Sequence, residues 1–84
     1  ISQDNIFIVK QNLATALRDL KENNAAIKIY EELINSKSEV KPHIMINIFI
    51  SASGSYRAIK QYEVAMNMLD KAEVLIEKTF GLDN

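Results

Sequence analysis

Ala26-Ile27-Lys28-Ile29-Tyr30-Glu31-Glu32-Leu33 and Ala65-Met66-Asn67-Met68-Leu69-Asp70-Lys71-Ala72 are two octapeptides of one physical design. Each runs from a small residue, through a large apolar one four places along, to an apolar one three further. Steps of four and three keep such side chains on one side of a helix. The segments lie 65 − 26 = 39 positions apart, and sliding the whole chain by that distance aligns further physical roles. Val9 meets Ile48, Leu13 meets Ala52, Ala14 meets Ser53, Leu17 meets Tyr56 and Leu20 meets Ile59. Arg18 meets Arg57, Lys21 meets Lys60, Tyr30 meets Leu69 and Glu31 meets Asp70. Small residues recur where paired helices must approach closely, which an unrelated bundle need not do.

Working outward, Ile6, Val9, Leu13, Ala16, Leu17 and Leu20 predict a first helix with that stripe inward, capped by Ser2, Asp4 or Asn5. Asn23-Asn24 predicts the break before a second helix whose stripe is Ala26, Ile29, Tyr30, Leu33 and Ile34. Pro42 fits the first turn of a third helix, with Met45, Ile48, Phe49, Ala52, Tyr56 and Ile59 inward. Lys60-Gln61 makes a tight connection without glycine. The fourth helix carries Tyr62, Ala65, Leu69, Ala72, Leu75, Ile76 and Phe80, and Gly81 stands where a left-handed residue ends it. The expected organisation is one all-α unit over 1–84: hairpin 1 about 4–35, linker 36–41, hairpin 2 about 42–80. Continuous rather than alternating apolar runs, such as Ile6-Phe7-Ile8-Val9, argue against strands. Phe7, Ile8, Ile44, Ile46 and Ile50 lie off the main stripes, with Leu75 and Phe80 beyond the shared pattern. Such surplus predicts contact with flanking repeats, a partner subunit or a capping helix.

Composition bounds the function. Eighty-four residues, 48% apolar and 25% charged, make one small domain with no room for a Rossmann or TIM-barrel enzyme. A net charge of −1 argues against a dedicated nucleic-acid binder, because phosphate backbones reward clustered positive charge. Without cysteine there is no disulfide framework, thiolate metal site or cysteine nucleophile. The absence fits reducing surroundings, so a cytoplasmic setting is expected. No apolar run approaches the ~20 residues of a membrane span. A start at Ile1 rather than methionine predicts a segment of a longer repeat protein.

This pattern resembles the tetratricopeptide repeat, a helix–turn–helix unit of about 34 residues. The two octapeptides match its second helix, while Leu13-Ala14 and Tyr56 sit where its first helix has a leucine–small pair and a tyrosine. The chain departs from the family in having no tryptophan, no glycine before either second helix, and Lys10 at the usual first large apolar place. The ending Glu77-Lys78-Thr79-Phe80-Gly81-Leu82-Asp83 is similar to that of the longer repeats of kinesin light chains. The resemblance implies two antiparallel hairpins forming part of a right-handed superhelical solenoid. It further implies a scaffold or adaptor that binds a protein or peptide on the concave face of the first helices, or on its apolar flanks.

Carried onto this chain, the groove candidates are Ile8, Gln11, Thr15, Arg18 and Asp19, then Asn47, Ile50, Gly54 and Arg57. Arg18 and Arg57 are the only arginines, and a planar guanidinium pairs bidentately with carboxylate, so an acidic peptide is the expected ligand. The alternative is two solvated arginines that keep the helix surfaces soluble, or that pair with Asp19, Asp70 or Glu63. Chaperone-binding members clamp a terminal carboxylate with lysines and asparagines. Here those places hold Gln11, Thr15 and Ser51, and the clamp is not reproduced.

Catalysis is not expected. His43 is the only histidine, leaving no partner for a transition-metal site, and it reads as a surface or cap residue. Ser51, Ser53 and Ser55 lack a histidine base within their helix. No glycine-rich phosphate loop exists, and no cofactor is expected. Met45, Met66 and Met68 align with Ile6, Ile27 and Ile29, so packing explains them. Two other readings stay open: a peptide-sensing regulatory domain like those of bacterial signalling regulators, and a free-standing four-helix bundle.

Overall fold

A computed structural model describes residues 2–81 of the chain and contains four α-helices. They are α1 (Gln3–Asp19), α2 (Asn23–Asn35), α3 (Pro42–Ala58) and α4 (Tyr62–Phe80). No strand occurs among the described residues. Ile1 and Leu82-Asp83-Asn84, including the end of the kinesin-light-chain-like tail, lie outside them. Ser2 caps α1, its hydroxyl accepting the Asn5 backbone N–H at 3.2 Å. Pro42 opens α3, where its missing N–H costs nothing. Gly81 ends α4 in the left-handed conformation, φ +65°, and donates to the Glu77 carbonyl at 2.8 Å.

The turn inside each hairpin rests on a lysine rather than the asparagines. Lys21 and Lys60 both have φ +66°, and 60 − 21 = 39. Lys21 N–H donates to the Arg18 carbonyl and Glu22 N–H to that of Leu17, both at 2.8 Å. Lys60 donates to Arg57 and Gln61 to Tyr56, both at 2.9 Å. These paired bonds satisfy the carbonyls that a helix end otherwise leaves orphaned. Asn23 and Asn24 are therefore the first residues of α2 and not its break.

Within each hairpin, small residues let the helices approach. Ala14 and Ala26 are fully buried, and their counterparts Ser53 and Ala65 are also buried. Between hairpins, α3 is central: it packs on α4, on α2 and on the side of α1. Among the described residues no Cα of α4 lies within 8 Å of one in α1 or α2. The molecule is a slab of 39 × 34 × 19 Å. It exposes 5770 Å², against ~5,050 Å² expected for a compact monomer of this mass.

Burial departs from the sequence stripes in a patterned way. Val9, Leu13 and Leu20, expected inside, are 67%, 54% and 74% exposed. α1 instead buries Phe7 and Ala14. Ile44 and Ile46, read as surplus, belong to the buried core, because α3 has neighbours on two sides. On α4, Ala65, Met68 and Ala72 are buried, while Tyr62, Met66, Leu69 and Phe80 are exposed. A helix with one neighbour can bury one face only, whatever else it carries.

Candidate functional site

The α1–α3 seam is closed by groups the sequence placed in a groove. Arg18 Nη1 donates to the Ser51 carbonyl at 3.0 Å, and Gln11 Nε2 to Ser51 Oγ at 3.5 Å. Gly54 makes room for this: a Cβ there would lie 2.9 Å from Arg18 Nη1. Near the other end of the seam, Asp4 Oδ1 accepts the Lys41 backbone N–H at 3.1 Å. The hairpins are also joined by Tyr56, whose hydroxyl donates to Glu31 Oε2 at 2.7 Å. Burial pushes the Tyr56 phenol up to about 12, helped by the Glu31 hydrogen bond and the nearby Glu31 charge.

The nine groove candidates therefore divide. Gln11, Arg18 and Gly54 join the two hairpins to each other. Thr15 turns into hairpin 1, its hydroxyl 3.0 Å from that of Tyr30. Ile8, Asp19, Asn47, Ile50 and Arg57 remain on the exposed surface. Arg18 is thus held by a backbone carbonyl rather than by Asp19, Asp70 or Glu63, whereas Arg57 makes no side-chain hydrogen bond among the described residues. The clue to this coupling lay in Ser51-Ala52-Ser53-Gly54-Ser55, a run of small residues that lets another helix come close. Ser55 marks how tight the approach is: its hydroxyl is fully buried with no partner among the described residues.

Three apolar surfaces face solvent. On the α1 side, Asn5, Ile6, Val9 and Lys10 line a shallow recess, and Leu13 and Leu20 further along are also exposed. On the hairpin 2 side, Ile50, Leu69, Ala72, Glu73, Ile76 and Glu77 line an open groove between α3 and α4. Met66 is 63% exposed and Leu69 46%, so Met66 is surface and not the interior packing expected of it. A third groove, lined by Phe49, Asp70, Lys71, Val74, Leu75 and Lys78, runs along the other side of α4.

His43 is exposed in the first turn of α3. Among the described residues no three His, Cys, Asp or Glu side chains converge to hold a metal. None of the helices described is long and apolar enough to cross a membrane. Comparison with family models, curated proteins and solved structures gives no match.

Proposed function

We propose that the chain is a protein-interaction scaffold built as an open, tetratricopeptide-like stack of two hairpins, and that it performs no catalysis. The observation that carries this reading is the packing order. α3 touches all three other helices while α4 stays clear of α1 and α2, leaving apolar faces uncovered at both sides. A closed four-helix bundle would bring the fourth helix back against the first and cover those faces. The congruent Lys21 and Lys60 turns support the repeat reading, since both hairpins turn the same way at the same register.

The ligand side of this reading narrows to the exposed members of the α1/α3 surface. Ile8, Asn47, Ile50 and Arg57 offer two apolar contacts, an amide and a guanidinium, which suits a short acidic peptide with apolar side chains. A peptide-display selection against the immobilised chain tests it, with an Asn47→Ala/Arg57→Ala variant as counter-screen. Acidic peptides that bind the parent and not the variant are expected. Failure to enrich any sequence, or enrichment indifferent to the variant, would remove this surface as the binding site.

A further inference from the structure

Two of the uncovered faces share the 39-residue register with residues where the hairpins meet each other. On α3, Ile48, Ala52, Ser55 and Ile59 form a stripe with its first three members fully buried. Ser51 and Tyr56 flank that stripe, and both bond to hairpin 1, so the stripe faces hairpin 1. Subtracting 39 gives Val9, Leu13, Ala16 and Leu20, all exposed on α1. The other face behaves alike. Gln11 bonds to Ser51 of α3, and on α2 Tyr30 and Leu33 are buried and Ile34 is half-buried. Adding 39 gives Ile50, Leu69, Ala72 and Glu73, four of the six residues lining the open groove of hairpin 2.

We infer that a second copy of this chain docks end to end, placing the Val9–Leu13–Leu20 stripe of one copy in the Ile50–Leu69 groove of the next. The internal α3 contact is the template for the pose. Within it, Arg57 of one copy reaches the Asn12 carbonyl of the next, as Arg18 reaches that of Ser51. A backbone acceptor is present whatever side chain stands there. The other polar contacts become apolar or mixed: Gln11–Ser51 is replaced by Ile50–Asn12, and Tyr56–Glu31 by Leu17–Asp70. The contact between copies is accordingly weaker than the one inside the chain, which the linker holds together at an effective concentration on the order of mM. Because the two faces differ, the contact is heterologous and does not close at two copies.

The inference rests on the open stack proposed above, but not on a peptide ligand, and the tests separate them. Sedimentation velocity on the parent chain from about 10 µM to 1 mM, the range of weak association, should show a weight-average mass that climbs past that of a dimer. Leu13→Glu and Leu69→Glu each alter an exposed residue and should each sediment as monomer at every concentration. Mixed one to one, they should form a dimer and stop there, because one keeps an intact groove and the other an intact stripe. Circular dichroism checks that each variant is helical, and Val9→Glu replaces Leu13→Glu, or Ile50→Glu replaces Leu69→Glu, where one is not. A parent that stays monomeric overturns the inference while leaving peptide capture standing. A parent that plateaus at two copies, or variants that fail to complement, overturns it in favour of a symmetric contact.

Discussion

Val9 and Ile48 hold one register position in two hairpins whose turns superpose bond for bond, yet Val9 is 67% exposed and Ile48 not at all. α1 has a neighbour on one side of this stripe and solvent on the other, whereas α3 is enclosed by α4 and by hairpin 1. Their apolar patterns alone would have assigned both helices the same inner face. Burial here follows how many helices surround a position, not its register along the chain.

The largest test of that contrast is a pair of truncations. Ile48→Ala should cost about 3 kcal/mol in urea unfolding, since the cavity forms in a closed interface. Val9→Ala should stay within ~0.5 kcal/mol of the parent. Equal losses would mean that Val9 is covered in solution, which sedimentation would then trace to self-association.

Next in size is the hydroxyl that ties the hairpins together. Tyr56→Phe should lose about 2 kcal/mol, the range for hydrogen bonds to charged groups. It should also change the alkaline limb. With the folded phenol at about 12 and an unfolded value near ~10, its stabilisation is complete below the unfolded value. It fades as pH rises through the folded one. The parent should therefore lose stability between those values faster than Tyr56→Phe does, measured by thermal melts across pH. Leu17, its counterpart in hairpin 1, has no hydroxyl to contribute.

The arginines sharpen the comparison further. Arg18→Ala should cost ~1.5 kcal/mol by losing its bond to the Ser51 carbonyl, while Arg57→Ala should be close to neutral in dilute monomer. The smallest expected effects are the turn lysines, where the hairpins should behave alike. Lys21→Gly and Lys60→Gly should each gain about 0.5–1 kcal/mol, the relief of a left-handed L-residue less the chain entropy of glycine. Unequal gains would show that the turns, identical in φ, are not equally strained.

How much was legible follows from which interactions are local. The four helices, a cap among Ser2, Asp4 and Asn5, the Pro42 start and the Gly81 stop could be read because each depends on residues within a turn or two. The 39-residue echo was legible too, and the shared turn geometry at Lys21 and Lys60 lies on it. Those lysines themselves were not, because a lysine gives no signal of positive φ as glycine does. For the groove, sequence could place Arg18 and Arg57 at equivalent positions, but their roles differ because only Arg18 has a helix in front of it.

What the sequence by itself determined is therefore the set of helices, their hairpin pairing signals and the stripes of apolar residues able to be buried. Which stripes are buried was decided by tertiary structure: Phe7, Ile44 and Ile46 inside, Val9, Leu13, Leu20 and Leu69 outside. The physical reason is that periodicity records a side chain's direction around its own helix, whereas burial requires a second helix to occupy that direction.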